Sequence, residues 1–535
     1  MADDSRSSAK AGREHAWARW LLPSVSDVVF VAFLSVVVCT SMSVKLLNDG
    51  GIGWHIRAGQ IILASHSVPH VDPFSSTMQG QPWFAWEWLY DVIVGGLEHG
   101  AGLNGVVWFN AFVIAAAFAT AFRMLMRRGT GLCVALGLLL LSTGAAMVHF
   151  LARPHVVSWL FVVVWFWILD GAEASDSVFG PRRQDSLWLL PPLMLAWVNL
   201  HGGFLIGFVL LAIYLVEVTW QWFSNPADDL SGSLRRTSAV RRARSLVAIA
   251  IVSGIATLVN PYGWKLHLHI YRYLTDRFLM DHIEEFQSPN FHGVAQKCFA
   301  VLLLLTLIAF AVRRSRLRVS DVLIALFAVY AGIDAARNIP VSALLLAFVI
   351  GPLLTGVAGG RPKQPIGDSA TEPGLFARML AIERKSAWGL WSAFAAAIAL
   401  GVALNGGKVG GRVWMDAHFD ARRFPMEAVD YLQKAHVAGP VLGPDYWGGY
   451  FIYRLYPSAL VALDDRHDLY GADELKSYLR FLHAEAGWEE FVDQAHSSCL
   501  VLPVNSAMAN VVDLSGKWNA IYRDQSAVVF VRKKL

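Results

Sequence analysis

Long apolar runs recur along almost the whole sequence, and they constrain the fold more than any other feature. A helix needs about 20 mostly apolar residues to cross the hydrocarbon core of a bilayer, within a range of about 17–25. Runs close to this length lie at 25–46, 103–125, 130–148, 155–171, 187–200, 203–223, 245–260, 294–312, 320–336, 339–357 and 387–405. The sequence therefore predicts a mainly α-helical, polytopic membrane bundle of about eleven spans over residues 25–405.

Composition agrees with a membrane protein and argues against nucleic-acid binding. Hydrophobic residues make up 55% of the 535 residues and charged residues only 16%, whereas soluble domains carry about 25% charged residues. The formal net charge is +4, but the Arg and Lys residues lie in short clusters between apolar runs, which is how polytopic proteins are oriented. The four cysteines show neither disulfide nor zinc-site spacing.

The basic clusters predict the orientation of the chain. They occur at every second connection, in Arg123–Arg128, Arg182–Arg183, Arg235–Arg244, Arg313–Arg318 and Arg361–Lys385. The N-terminal segment 1–24 is also basic and has no cleavage-site pattern, so the first apolar run is interpreted as a retained anchor. By the positive-inside rule, the N-terminus is cytoplasmic and an odd number of spans places residues 406–535 outside.

Two parts of the chain outside the spans have a structure of their own. The outward loop 47–98 contains an apolar stripe at 54–65 and a second helix-like piece at about 86–98, both suited to lying along the membrane interface. Residues 406–535 predict a small α/β domain, with a helix starting at Pro425, strand-like runs in "GYFIYRLY", "ALVALDD" and "CLVLP", and a closing hairpin that turns at Gln525-Ser526.

Polar side chains collect at the predicted outward ends of the spans. They are His149, Arg153, His155, Asn199, His201, Asn260, Asp334, Arg337 and Asn338, and the first outward loop adds Asp49, His55, Glu87 and Asp91. Ionisable groups at membrane depth are costly and usually functional. The set predicts one outward-facing cleft; solvation of helix ends is the alternative for any single residue.

Several motifs together resemble a bacterial family of polytopic membrane proteins. They are "ND…WHIRAGQII…VPHVDPFS…W…WEWLYDV", "RPH", "WVNLHGGFLIG", "NPYGWKLH", "RNIP" and "DYWGGYFIYRLYP…DDRHDLYG". The family is described as GT-C superfamily glycosyltransferases, similar to lipid-linked-sugar transferases and protein mannosyltransferases. The resemblance implies a GT-C-like fold in the bacterial inner membrane and an acidic residue just past the first span, a position that Asp49 occupies.

The chain departs from the family pattern at one informative place. The pattern has a second acidic residue two positions after the first and a second Trp before the His, where this chain has Gly51 and Gly53. Asp49 is therefore alone at the motif, and the acidic pair that would hold a divalent metal is missing there. Whether a metal takes part is left open.

The resemblance implies transfer of a hexosyl or pentosyl group from a polyprenyl-phosphate donor, by an inverting route, to a glycan, lipid or protein acceptor. Such a transfer needs a base for the acceptor hydroxyl and cations for the departing phosphate. Asp49 is the predicted base and Glu87 the second catalytic carboxyl. The predicted substrate-binding residues are Trp54, His55, Arg153, His155, Asn199, His201, Arg337 and Asn338, and Trp83, Trp86 and Trp88 offer further flat faces for a sugar or form an aromatic belt.

Two other functions remain open on the sequence. A transporter or flippase-like protein would place its polar groups near the bilayer midplane and show repeated halves, and no repeat is evident. A membrane scaffold whose tail binds partners would leave the outward polar cluster without a role.

Overall fold

The computed structural model describes residues 22–174, 183–224, 230–313, 317–357, 379, 382–383, 389–437 and 439–533. The predicted basic N-terminus and most of the cluster Arg361–Lys385 lie outside these residues.

Helices dominate the membrane portion. They are α1 (Val25–Cys39), α2 (Met42–Leu46), α3 (Ile52–Ser65), α4 (Trp88–Arg127), α5 (Leu132–Ala146), α6 (His155–Ala174), α7 (Leu190–Leu200), α8 (Leu205–Ser224), α9 (Leu230–Ala256), α10 (Trp264–Thr275), α11 (Arg277–His282), α12 (Val294–Ala311), α13 (Val319–Asp334), α14 (Ile339–Val357) and α15 (Leu390–Leu404). Short 3₁₀ turns connect some of them, at Met147–His149, Arg183–Leu189, Gly202–Phe204, Glu284–Phe286 and Ala336–Asn338.

The protein is a multi-pass membrane protein. Six helical stretches of the described residues are long and apolar enough to cross a bilayer: Trp88–Arg127, Leu132–His149, His155–Glu173, Gly202–Ser224, Val294–Ala311 and Ala336–Gly356. Two shorter helices, Val25–Cys39 and Leu390–Leu404, are also apolar. Each of the eleven predicted runs overlaps a helix, but the count of eleven membrane crossings is not confirmed and stays a prediction.

The second half of the first outward loop forms the helix expected at about 86–98. Helix α4 is numbered from Trp88 to Arg127, but the backbone at Gly102 is not helical (φ 59°, ψ −157°) and divides α4 into that helix and the span expected at 103–125. Glycine adopts this positive φ at little steric cost, so the chain can kink at Gly102 between the two helical parts.

The C-terminal residues form a four-stranded sheet flanked by helices. The strands after the small hairpin β1 (Lys408–Val409) and β2 (Arg412–Val413) are β3 (Val441–Leu442), β4 (Cys499–Pro503), β5 (Trp518–Arg523) and β6 (Ala527–Arg532). Their order is β3-β4-β6-β5, with β3 parallel to β4 and the other pairs antiparallel. The helices are α16 (Met426–Lys434), α17 (Asp445–Leu455), α18 (His467–Leu482), α19 (Trp488–Gln494) and α20 (Ala507–Leu514). The predicted closing hairpin, the strand "CLVLP" and the helix after Pro425 are confirmed.

The predicted strand "GYFIYRLY" is wrong, because this stretch lies in helix α17. Trp447, Phe451 and Leu455 recur every four residues and are all buried, so the segment has a helical apolar face. The prediction of a strand rests on the aromatic residues of this segment, because aromatic residues favour strands. The run "ALVALDD" is not a strand either, since it makes only isolated bridges through Val461.

Helices α3 and α17 cross at glycines, and this contact joins the first loop to the C-terminal residues. A Cβ atom added to Gly53 would lie 2.1 Å from the Gly449 carbonyl oxygen, and one added to Gly449 would lie 2.3 Å from the Gly50 carbonyl oxygen. Only glycine permits so close an approach of two backbones. The C-terminal residues are thereby held directly against the segment that carries Asp49.

A buried arginine fastens the same two regions together. The Arg466 guanidinium donates to Asp72 of the first loop at 2.8 Å and to both oxygens of Asp464 at 2.7 and 2.8 Å. All three side chains are almost fully buried, and the guanidinium lies 4.8 Å from the centre of the Trp83 ring. Because a buried charge is stable only when it is paired, this cluster fixes how the loop and the C-terminal domain meet.

Candidate active site

Asp49 lies in the short turn between α2 and α3. One carboxylate oxygen accepts a hydrogen bond of 2.8 Å from the Gly51 backbone N–H, and the other lies 3.4 Å from Arg153 Nη1. The side chain is 21% exposed. The turn therefore holds Asp49 in one orientation while leaving part of its carboxylate accessible.

Arg153 precedes α6, and three carboxylates surround its guanidinium. They are Asp49, Glu285 at 3.3 Å and Asp465, which forms a short contact with Nη2. Burial alone would lower the pKa of Arg153, but these negative charges raise it above its usual value. Arg153 is therefore a permanent cation whose charge is already balanced, which suits positioning Asp49 better than binding a phosphate.

Asp465 and Glu285 are site residues that the sequence analysis missed. Asp465 belongs to the C-terminal residues and also accepts a hydrogen bond of 3.0 Å from Trp54 Nε1. Its only signal in the sequence was its place in the motif "DDRHDLYG". Glu285 lies in the turn after α11, and no motif or periodicity drew attention to it.

Glu87 lies between two histidines at the start of α4. Its carboxyl oxygens are 3.9 Å from His55 Nε2 and 3.7 Å from His201 Nε2. Burial raises the pKa of Glu87 to about 8, since Arg153 and Arg337 offset only part of the cost of burying its charge. Burial lowers the pKa of both histidines well below 6.5. The charge of Arg153 lowers the pKa of His55 further, and the charge of Arg337 does the same for His201. At neutral pH all three groups are therefore uncharged.

The protein fixes which nitrogen of His201 faces Glu87. His201 Nδ1 accepts a hydrogen bond of 3.0 Å from the Gly203 N–H. It also lies 2.8 Å from Ser158 Oγ, which accepts a hydrogen bond from Trp197 Nε1. Because Nδ1 is an acceptor, the neutral ring carries its proton on Nε2 and directs it towards Glu87.

The buried carboxyl group of Asp91 holds His55 in place. Its Nδ1 lies 2.6 Å from Asp91 Oδ1, and the Trp54 ring stacks on its ring at 3.5 Å between centroids. A ring clamped in this way cannot turn freely, so Nε2 stays aimed at Glu87.

Arg337 differs from Arg153 in having no carboxylate partner among the described residues. Asp334 lies three residues earlier in the chain but forms no ion pair with Arg337 in the described residues, and the guanidinium lies 4.5 Å from the centre of the Phe286 ring. Its charge nevertheless acts on Glu87, His201 and Glu285. Arg337 is therefore a cation at the edge of the site with capacity for an anion.

Some predicted binding residues have structural partners instead. The Asn199 amide is fully engaged: it accepts from Trp88 Nε1 at 2.7 Å and donates to the Leu195 and Val259 carbonyls. These bonds join helices, and the predicted binding role of Asn199 stays a prediction. Trp83 is likewise buried inside the first loop against Trp54, so it offers no open face to a sugar.

Three further predicted residues lie around the site with protein contacts of their own. His155 Nε2 lies 2.9 Å from the His149 carbonyl oxygen, and His149 Nε2 lies 3.1 Å from the Ala336 carbonyl oxygen. Asn338 donates to the Ala331 carbonyl at 3.1 Å. These contacts tie the turns before α6 and α14 together, next to Arg153 and Arg337.

The structure thus brings Asp49, Arg153, Glu87, His55 and His201 into one cluster, with Arg337 beside it. The cluster combines an oriented carboxylate, a neutral carboxyl group, two neutral histidines and an unpaired cation. In the part of the chain that is described, no group of three or more His, Cys, Asp or Glu side chains is arranged to hold a metal ion.

No protein-family model matches the sequence, and no curated protein sequence matches it either. Three solved structures are similar over 95% of this chain. ArnT from Cupriavidus metallidurans has 14% identity, a TM-score of 0.47 and 96% of its own chain covered. The oligosaccharyltransferase of Archaeoglobus fulgidus has 10% identity, a TM-score of 0.48 and 72% covered. The mycobacterial arabinofuranosyltransferase AftD has 11% identity, a TM-score of 0.47 and 41% covered. At such TM-scores and identities, the function has to follow from the site itself.

Proposed function

We propose that the protein is a membrane glycosyltransferase that moves a sugar from a polyprenyl-phosphate-linked donor to an acceptor hydroxyl on the extracytoplasmic side. The observation that carries the proposal is the oriented Asp49 carboxylate, 3.4 Å from the balanced cation Arg153, with the unpaired cation Arg337 at the edge of the same cluster. A base for the acceptor hydroxyl and a cation for the departing phosphate are the two kinds of group that the transfer requires.

Asp49 is the proposed base. It takes the proton of the acceptor hydroxyl while the hydroxyl oxygen forms a bond to the anomeric carbon of the sugar. The bond between that carbon and the phosphate oxygen breaks, and its electron pair leaves with the phosphate. Attack from the face opposite the leaving group gives inversion, and one carboxylate suffices because a phosphate leaves as a stable anion.

Arg337 is the proposed phosphate ligand. A guanidinium matches a phosphate through two parallel hydrogen bonds, and this one has no carboxylate to displace among the described residues. His201 Nε2–H and the neutral Glu87 carboxyl are donors that add no negative charge near the phosphate. Arg153 serves instead to hold Asp49, and no step is assigned to a metal ion.

The test is an Asp49→Asn variant in proteoliposomes supplied with polyprenyl-phosphate sugars and extracts that contain candidate acceptors. We expect transfer to be lost while the elution profile in detergent is unchanged. Asp416→Asn is the matched control, because Asp416 is 77% exposed and its ionic contact is with His418, which is not part of the cluster. Retained transfer by Asp49→Asn would refute the assignment of the base. Profiling lipid-linked sugars in cells that lack the gene identifies the donor, because the unused donor accumulates.

A further inference from the structure

A polar cleft lies in the C-terminal domain, and its lining shares no residue with the cluster around Asp49. Its volume is about 520 Å³, within the range of about 300–1,000 Å³ that is usual for small-molecule sites. Its lining includes Arg422, Arg423, Tyr446, Trp447, Asn505 and Gln525, together with apolar and small residues, and it contains no acidic side chain.

The charges of this cleft favour an anion. Arg422 is paired with Asp420 through two hydrogen bonds of 3.1 and 2.9 Å, but Arg423 has no carboxylate partner among the described residues. The segment that carries Arg423 is fixed, because Trp447 Nε1 donates to the Arg423 carbonyl at 2.7 Å. The cleft therefore presents one uncompensated guanidinium from a rigid backbone.

The other lining groups suit a sugar ring. Tyr446 is 45% exposed, and its ring is an aromatic surface of the kind that packs on the apolar side of a pyranose. The amides of Asn505 and Gln525, both exposed, can each donate and accept hydrogen bonds to hydroxyl groups. The aromatic ring, the two amides and the guanidinium are together the groups that would bind a sugar that carries a phosphate or a carboxylate.

The cleft is also next to the proposed active site. Tyr446 lies in the first turn of helix α17, and a Cβ atom added to Gly50 would lie 2.5 Å from the Tyr446 carbonyl oxygen. Gly50 directly follows Asp49. Tyr446 therefore lines the cleft and also touches the turn that carries Asp49.

We infer that this cleft binds an anionic sugar, phosphorylated or carboxylated, that belongs to the acceptor. Its role as an acceptor site rests on the proposed transferase function, whereas the binding itself does not. A guanidinium at a charge-assisted contact is expected to contribute about a tenfold gain in affinity.

Binding is tested by calorimetry on the purified full-length protein in detergent, with glucose 6-phosphate and glucuronic acid as anionic probes. Glucose and glycerol 3-phosphate are the references for a ring without charge and a phosphate without a ring. We expect both anionic sugars to bind at least tenfold more tightly than glucose, and glucose 6-phosphate more tightly than glycerol 3-phosphate. Equal binding of glucose 6-phosphate and either reference would overturn the inference.

Variants locate the site. Arg423→Gln is expected to weaken binding of glucose 6-phosphate about tenfold, and Gln525→Glu to weaken it as well by adding a negative charge. Arg480→Gln, an exposed arginine of α18, is the matched control and should bind as the unaltered protein does. If Arg337→Gln abolishes binding and Arg423→Gln does not, the probe occupies the proposed active site and the inference fails. The Asp49→Asn variant is expected to lose transfer but still to bind glucose 6-phosphate. Because binding and transfer are measured separately, a failure of this inference can be told apart from a failure of the proposed function.

Discussion

Replacing Glu87 by Gln is expected to stabilise the protein, and to do so increasingly as the pH rises from 5.5 to 8. Burial raises the pKa of Glu87 from 4.5 to about 8. Above pH 4.5 the unfolded chain releases this proton, whereas the folded protein keeps it until about pH 8. The stability contributed by the protonated group is therefore complete below the unfolded pKa and is lost as the pH rises through the folded one.

The magnitude follows from the two pKa values. One pKa unit corresponds to about 1.4 kcal/mol, so between pH 5.5 and pH 8 the unaltered protein loses about 3 kcal/mol from this group alone. Gln has nearly the same shape and no proton to release, and the Glu87→Gln protein does not carry this loss. Other titrating groups, including His55 and His201, are common to both proteins and largely cancel in the comparison.

The assay is the unfolding midpoint of both proteins in detergent at pH 5.5, 6.5, 7.5 and 8. The difference in midpoint should favour Glu87→Gln and grow with each step in pH. Glu284→Gln is the control, because Glu284 is an exposed residue whose loss should leave the difference small and constant. Parallel midpoints for Glu87→Gln and the unaltered protein across this range would show that Glu87 is not held neutral by burial.

Three further substitutions test the remaining parts of the arrangement. Arg337→Gln should raise the KM for the lipid-linked donor about tenfold or more through the loss of a charge-assisted contact, and an unchanged donor KM would contradict its role as phosphate ligand. Arg466→Met should destabilise the folded protein by about 3–5 kcal/mol, because it leaves two buried carboxylates unpaired; equal unfolding midpoints would contradict this. Gly53→Ala should separate the first loop from the C-terminal domain by collision with the Gly449 carbonyl, seen as faster proteolysis of that domain, and unchanged proteolysis would show that the crossing tolerates a side chain.

Helix positions were predictable because apolar length is a local property of the sequence. Each predicted run overlaps a helix, since a bilayer demands both length and hydrophobicity from every span. The helix before Gly102 and the span after it are both expected from the sequence, but the kink that joins them in α4 is not, because the direction of a kink depends on the packing on either side.

The candidate site was predictable only in part, because the sequence shows local signals and not the contacts that tertiary packing makes. Asp49, Glu87, Arg153 and Arg337 stood out because polar side chains are expensive near a membrane and collect at helix ends. The other two partners of Arg153, Glu285 and Asp465, did not stand out. They lie 132 and 312 residues away in the chain, and only tertiary packing brings them to the same guanidinium.

The basic residues at the predicted cytoplasmic ends have partners that the positive-inside rule does not predict. Arg128 and Arg318 belong to the predicted orientation signals, and both are ion-paired within the bundle. Arg128 contacts Asp170 and Asp321 at 2.9 and 2.7 Å, and Arg318 contacts the same two carboxylates and Glu173. These residues therefore tie helices together in addition to any role in topology.

The two charged clusters lie at opposite ends of α4, which bears on the rival transporter function. The helix is kinked at Gly102, and the part that follows, 103–127, is roughly 38 Å long at 1.5 Å per residue. Glu87 lies before the first residue of α4 and Arg128 after its last. Between Gly105 and Leu125 its buried side chains are apolar except for Asn110 and Thr120, and Asn110 bonds to Tyr90 and to the Val106 carbonyl. A transporter needs polar groups near the midplane for its cargo, and between Gly105 and Leu125 this helix places only these two buried polar side chains. Chemistry at the cluster around Asp49 therefore fits this helix better than passage of a cargo along it. Movement of a fluorescent lipid-linked sugar across proteoliposomes faster than across protein-free vesicles would overturn that conclusion.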